Sequence, residues 1–236
     1  GEAQFKLIKG PAQGVSAARN IGLTQIKSPL VLFLDADDIL VRNALERYAQ
    51  AFDANDTIAA LGQIERITES GQTMPSPDNL ALVPDEDQLE ALLRKNYIVN
   101  GGALAIRASH ARSCGGYDES LRFGEDWEFW CRLLTQGSIA VVKGGPILKY
   151  RQVHTGANHQ AKGSVFARQV PCIEKIAQNP AFQALFGAKL SRALRARQID
   201  IFWSGVRTRY QYDNKITALL IAFSGLVVYP DSIMRP

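Results

Sequence analysis

Three carboxylates, Asp35, Asp37 and Asp38, stand at the end of the apolar run formed by residues 30–34. Acids that close repel one another unless a cation, hydrogen bonds or solvent compensates. A hard divalent ion held by carboxylate oxygens, with phosphates completing its shell, is one solution. The other is an acidic turn in which Asp38 caps the helix that follows. A second acidic pair, Glu125 and Asp126, opens a stretch in which Trp127, Trp130, Leu133 and Leu134 recur at helical spacing. Acids in a first helical turn are favoured by the helix dipole whatever else they do.

These groups need elements to hold them. Five large apolar residues at 30–34 read as a strand buried on both faces, as inside a parallel sheet. Ligands of open α/β sheets sit beyond the carboxyl ends of such strands, where the three acids fall. Residues 5–8 are a short strand candidate, and 15–27 read as a helix ending before Pro29 with Arg19 and Asn20 inside it. Val41, Leu45, Tyr48, Ala49 and Phe52 mark a further helix, and residues 58–67 a second strand. An irregular Pro-containing loop leads to an amphipathic helix over 85–95. Residues 98–106 read as a strand broken by Gly101-Gly102, a pair that marks either close approach of a ligand to the backbone or a bend at the sheet edge. Gly137 ends the Trp127 helix, and 139–142 and 147–150 are the last short strands. Strand and helix alternate, which predicts an α/β fold with a mixed sheet flanked by helices.

Beyond residue 160 the pattern turns helical, over 163–178, 181–201 and 215–229, and strongly basic through Lys189, Arg192, Arg195, Arg197, Arg207, Arg209 and Lys215. The expected organisation is therefore a core over 1–160 and a basic helical C-terminal extension over 161–236. A net charge of +4 on 236 residues does not by itself signal nucleic acid. Cys114, Cys131 and Cys172 are odd in number and widely spaced, as in reduced packing residues of a cytoplasmic protein. The apolar stretch at 216–229 is too short to span a bilayer. The chain opens Gly1-Glu2-Ala3-Gln4 without an initiator Met, as a fragment or a processed chain would.

Three blocks carry a resemblance. Gly14-Val15-Ser16-Ala17-Ala18-Arg19-Asn20-Ile21-Gly22-Leu23 with Phe33-Leu34-Asp35-Ala36-Asp37-Asp38 resembles the central block of family-2 glycosyltransferases of the GT-A fold. Gly115-Gly116-Tyr117-Asp118-Glu119-Ser120-Leu121 followed by 125–133 resembles that family's second block, and Tyr150-Arg151-Gln152-Val153-His154 is similar to its closing element with one extra residue before the histidine. Each block alone is weak, but three in the right order over residues 5–160 are specific.

The resemblance implies a metal-dependent, inverting transfer of a sugar from a nucleoside diphosphate to an acceptor hydroxyl. The donor would be foremost a UDP-sugar, and the acceptor a saccharide or lipid-linked molecule of cell-surface polysaccharide or glycolipid synthesis. It makes Asp37 the ligand of Mn²⁺ or Mg²⁺ with Asp35 assisting, the cation neutralising charge on the departing diphosphate. It makes Asp126 the base that takes the acceptor proton, with Glu125 orienting or tuning it. His154 would reach the metal or the diphosphate. Arg19, Asn20, Asp35 and Arg151 would serve the donor, although an exposed helix arginine is the ordinary reading of Arg19. Gly101 and Gly102 would admit the sugar or acceptor to the backbone. Trp127 would stack on a sugar face or, equally, pack in the core beside Trp130.

Family members begin with a strand and loop of base- and ribose-binding acids, which this chain all but lacks. The resemblance therefore predicts a sheet incomplete at its N-terminal side, its edge exposed or paired with a neighbouring chain in a homo-oligomer. Two other readings compete. Residues 32–37 also resemble the nucleophile strand of haloacid-dehalogenase-type phosphatases, with Asp35 phosphorylated and Asp37 as acid/base. A non-catalytic scaffold would instead use the basic helices as its surface. For residues 189–229 the alternatives are a peripheral site on the inner face of an anionic membrane or a helical cap with a solvated basic face.

Overall fold

The computed structural model describes residues 5–52, 57–75, 83–152, 165–212 and 214–230. Five strands form one mixed sheet: β1 (Leu30–Leu32), β2 (Ile39–Leu40), β3 (Thr57–Ile67), β4 (Leu104–Arg107) and β5 (Ser138–Arg151), in the order β1-β4-β3-β5-β2. Only β3 and β5 run parallel, and β4 is antiparallel to both of its neighbours. The helices are α1 (Val15–Gln25), α2 (Ala44–Gln50), α3 (Gln88–Arg94), α4 (Ala108–Ser113), α5 (Glu125–Leu134), α6 (Val165–Gln178), α7 (Pro180–Phe186), α8 (Ala188–Tyr212) and α9 (Lys215–Val228).

Several expectations change. The apolar run at 30–34 yields a three-residue edge strand, antiparallel to β4, rather than a central parallel one. Only Val31 is buried, and Leu34 is 44% exposed. Beyond β1 no further strand pairs among the described residues. Residues 5–8 form no strand, and Phe5 and Leu7 stand in solvent. Gly101 and Gly102 lie in a 3₁₀ turn (Gly101–Ala103) ahead of β4, not inside a strand. The two short strands expected at 139–142 and 147–150 are one strand, β5. Its interruption at Gly144-Gly145 is held by Arg47, which donates to the carbonyls of Lys143, Gly145 and Pro146. The helix expected at 181–201 is two, broken at Gly187, and α8 runs on to Tyr212.

α5 follows from its sequence. Glu125, Asp126 and Glu128 occupy its first turn and Arg132 its last, matching the dipole at both ends. Glu128 and Arg132 pair one turn apart at 2.6 Å. Trp127, Phe129, Trp130, Leu133 and Leu134 are buried, each worth about 2–3 kcal/mol of removed apolar surface. Gly124 precedes the helix at φ 74°, and a Cβ there would lie 2.5 Å from Cys172 Sγ of α6, so glycine is required on both counts.

Cys172, Ile173, Ile176, Phe182, Leu190, Leu194 and Ile201 join the same buried cluster as the sheet. The C-terminal helices therefore pack onto the core, α6 against α5 and α8 against α3. All three cysteines are free, and Cys131 and Cys172 are fully buried. Among the described residues no helix is long and apolar enough to cross a membrane.

Candidate active site

The loop after β1 is pinned from beneath. The Asp38 N–H donates to the Asp35 carbonyl at 3.1 Å. Asp38 is buried, and its carboxylate accepts from Asn100 Nδ2 at 2.7 Å and from the Arg151 backbone N–H at 2.9 Å. Burial raises its pKa despite those two hydrogen bonds. It does not cap α2, whose N-cap is Asn43. The Arg151 guanidinium donates to the carbonyls of Asp37 at 2.9 Å, Glu69 at 2.7 Å and Thr68 at 3.3 Å. Arg151 thus braces the acidic loop on backbone carbonyls, where the resemblance would have it grip phosphate. With Asp38 turned inward, Asp35 and Asp37 are left exposed at the tip.

Arg19 joins this tip to α5. Its Nη2 donates to Asp35 Oδ1 at 3.0 Å, and its Nη1 lies 3.7 Å from Glu125 Oε1. Its guanidinium rests over the Tyr117 ring at 5.2 Å. The side chain is 17% exposed, so the ordinary expectation of an exposed helix arginine fails. Burial alone would lower its pKa, but the surrounding negative groups leave it raised. Tyr117 stacks on Phe129 with ring centroids 4.3 Å apart, and burial pushes its phenol up.

Asn20, which the resemblance assigns to the donor, binds the protein's own turn in this structure. Its Nδ2 donates to the Tyr117 carbonyl and to Glu119 Oε1, both at 2.9 Å, and its Oδ1 accepts from the Tyr117 N–H at 2.8 Å. Both of its amide hydrogens and its carbonyl oxygen are engaged at the turn that follows Gly115-Gly116. Gly116 sits at φ 70°, and a Cβ there would lie 2.5 Å from Asn20 Oδ1. Arg132 holds the same turn from α5 by donating to the carbonyls of Cys114 and Gly116.

Asp126 keeps some contact with solvent yet is surrounded by enough protein that desolvation raises its pKa. The Trp127 N–H, 2.6 Å from its Oδ1, and the charges of Arg19 and Arg197 offset part of that rise. Glu125 is raised by burial and then by Asp126, with Arg19 opposing. Arg19 therefore bridges Asp35 and Glu125, and its charge acts on Asp126 as well.

Trp127 does not offer a face to a sugar: it is 1% exposed, and its Nε1 donates to the Leu92 carbonyl at 2.8 Å. Gly102 is buried beneath Asn100 Oδ1, Leu34 and Leu148, all within 3.3 Å of where a Cβ would stand, so packing already requires it. Gly101 is half-buried, with ordinary room for a Cβ. His154 lies outside the described residues. Among those described, no three His, Cys, Asp or Glu side chains gather as a metal cage. Asp35 and Asp37 offer hard oxygens at an exposed tip, which fits an ion that takes one or two carboxylates and fills its shell with phosphates and water.

Sequence reasoning missed Tyr117, the Asp38–Asn100 pair and Arg197. Arg197 is buried, lies 5.3 Å over the Trp127 ring and pairs with Asp200 at 3.1 Å. Nothing in a row of basic residues marks which one turns inward.

Residues 1–115 match the sequence pattern of the family described as Glycosyl transferase family 2. That stretch belongs to glycosyltransferase family 2. It contains Arg19, Asp35 and Asp37, and the phosphatase reading of Asp35 is set aside with it. An uncharacterized glycosyltransferase of Haemophilus influenzae is 29% identical over 61% of this chain and 48% of its own length. A pre-mycofactocin glycosyltransferase of Mycobacterium tuberculosis is 32% identical over 55% of this chain and 27% of its own. The chain thus spans about half the first relative and about a quarter of the second. The fold is GT-A-like: S. aureus TarS 1-349, solved in complex with UDP-GlcNAc, superposes with a TM-score of 0.52 at 14% identity, covering 87% of this chain and 55% of that one.

Proposed function

We propose that this family-2 domain moves a sugar from a nucleoside diphosphate, foremost a UDP-sugar, to the hydroxyl of a saccharide or lipid-linked acceptor. One observation carries the reading: a single guanidinium, that of Arg19, touches both Asp35 and Glu125. The acids suited to a diphosphate and the acids suited to a proton are thereby linked through one side chain, inside and beside a stretch of known family.

In this reading Asp126 accepts the acceptor proton as that oxygen attacks the anomeric carbon, giving a single displacement with inversion. Its raised pKa makes it a stronger base than an ordinary aspartate. Glu125 keeps Arg19 in place, and Arg19 holds Asp35 at the donor side. Asp35 and Asp37 would hold Mn²⁺ or Mg²⁺, which supplies charge neutralisation for the leaving diphosphate. Support for a nucleotide-sugar donor comes from the UDP-GlcNAc complex of the structurally similar S. aureus protein.

The test is a calorimetric donor screen with Mn²⁺ present, followed by transfer assays of wild type and Asp126→Asn. Donor binding with transfer lost in the variant is expected. Transfer unchanged in Asp126→Asn overturns the assignment. No turnover of any nucleotide sugar by wild type favours the scaffold reading.

A second reading concerns location. Ile216, Leu219, Leu220, Phe223 and Val227 of α9 recur at three- and four-residue steps, and each is at least 60% exposed. Exposed Lys189, Arg192 and Lys215 lie in α8 and α9. An apolar helical stripe with basic neighbours suits the surface of an anionic bilayer. Flotation with anionic vesicles, lost in Leu220→Ser/Phe223→Ser, supports it; equal partitioning of the two proteins ends it.

A further inference from the structure

A cleft of about 650 Å³ lies between α3 and α8, and neither Asp35 nor Asp126 lines it. Arg94 and Lys95 line it from the end of α3, and Arg207 lines it from α8. Among the described residues none of these three side chains makes an ion pair or a hydrogen bond. Two acids share the wall. Asp200 is already paired with Arg197 at 3.1 Å, which leaves Glu86 against three cations. The helix dipole accounts for a basic residue at the end of α3, but Arg207 lies inside α8, where no such explanation applies. Like charges converging on one concavity are relieved by an anion, and arginine forks suit phosphate oxygens.

The remaining wall is aromatic. Tyr97 and Trp203 line the cleft, the Tyr97 hydroxyl being committed to the Gln88 carbonyl at 3.3 Å. Trp203 is half-buried, with its indole N–H unpartnered among the described residues. A ring face with hydrogen-bonding groups at its rim is the ordinary surface for a sugar, and the volume lies within the range of ligand sites.

We propose that this cleft is a second binding site, for a phosphate-bearing saccharide, distinct from the site at Asp35 and Asp126. The saccharide rests on the glycosyltransferase reading, whereas the anion rests on the three cations alone. Of the three tryptophans in the chain, Trp127 and Trp130 are each 1% exposed, so quenching of indole fluorescence by a bound ligand reports Trp203.

The experiment titrates wild type, Trp203→Phe, Arg94→Ala/Arg207→Ala, Asp35→Asn and Asp126→Asn with glucose 1-phosphate, inorganic phosphate and glucose. Circular dichroism checks each fold; the two arginines are exposed and leave the core untouched. Saturable quenching by glucose 1-phosphate is expected, absent in Trp203→Phe and weakened at least tenfold in the double arginine variant and by added salt. It should be unchanged in Asp35→Asn and Asp126→Asn, with phosphate binding more weakly and glucose not detectably. Quenching that survives the double arginine variant, or that vanishes in Asp126→Asn, overturns the site. Phosphate binding as tightly as the sugar phosphate overturns the saccharide. Loss of transfer in every assay would sink the proposed function and leave this titration standing.

Discussion

Nη1 of Arg19 lies 3.7 Å from Oε1 of Glu125, tying a helix ahead of the first strand to the first turn of α5. The same guanidinium holds Asp35 at 3.0 Å. Removing it leaves a largely buried carboxylate, that of Glu125, and an exposed one, that of Asp35, without their cation. Arg19→Ala is expected to cost about 1–3 kcal/mol of stability, the loss of charge-assisted hydrogen bonds, and to reduce transfer more than tenfold. Arg19→Lys should recover most of the stability but less of the activity, since a point charge cannot reach both acids as a fork does. Chemical denaturation and transfer kinetics on the three proteins check both.

To act as the proposed base Asp126 must be ionised, and desolvation raises its pKa above the ordinary 3.8. As pH falls it takes up its proton early, so the acidic limb of the rate profile should lie above that value. Arg19 holds this pKa down, and Arg19→Ala should move the limb to still higher pH. Stability runs the other way. A carboxyl whose pKa is higher folded than unfolded favours folding most below the unfolded value, and that benefit is lost as pH rises through the folded one. Asp126→Asn keeps an acceptor for the Trp127 N–H without the buried charge. It is expected to raise Tm at pH 7 by about 1–4 °C while abolishing transfer. Rate–pH profiles and thermal melts check the pair, and a lower Tm in the variant would contradict it.

What the sequence disclosed depended on whether a residue's type or its direction mattered. The acidic tip, the Glu125-Asp126 helix start and the helical C-terminal region were legible, because charge at a strand end, acids in a first turn and apolar periodicity are local signals. Direction was not. An apolar run says that 30–34 avoids water, not that its strand lies at an edge, and Leu34 in fact faces solvent. Asn20 and Arg151 stand inside family-like blocks, yet Asn20 donates to the Tyr117 carbonyl and the Glu119 carboxylate, and Arg151 to backbone carbonyls, that the fold brings in from distant positions. Arg197 is one arginine among many, and only the packing of α8 against α3 and α6 brings it onto Trp127.

Trp127 separates a core role from a sugar-binding one. Its ring is enclosed and its N–H is satisfied by Leu92. Trp127→Phe removes that hydrogen bond and leaves a small void, so a loss of about 1–3 kcal/mol is expected. KM for the acceptor should stay within about twofold, because no substrate touches the ring, whereas loss of a stacking platform costs about 1–3 kcal/mol of binding. Denaturation and acceptor kinetics on the purified variant decide between them.

Lys175 Nζ of α6 lies 2.8 Å from Asp118 Oδ2, on the turn that Asn20 and Arg132 also hold. Burial works against the charge on Asp118, but hydrogen bonds from Lys175 and from the N–H and hydroxyl of Ser120 outweigh it and hold the pKa at about 2. A depressed carboxyl contributes stability above its unfolded value near 3.8 and loses it as pH falls toward about 2. Lys175 is half-exposed, at 49%, so screening keeps its share to under about 1 kcal/mol. Lys175→Ala should therefore melt slightly below wild type at pH 7, with the gap closing as the pH is lowered through that window. Added salt should narrow the same gap at neutral pH. A gap that persists unchanged at pH 2 would mean that Lys175 acts through the packing of its methylenes rather than through its charge.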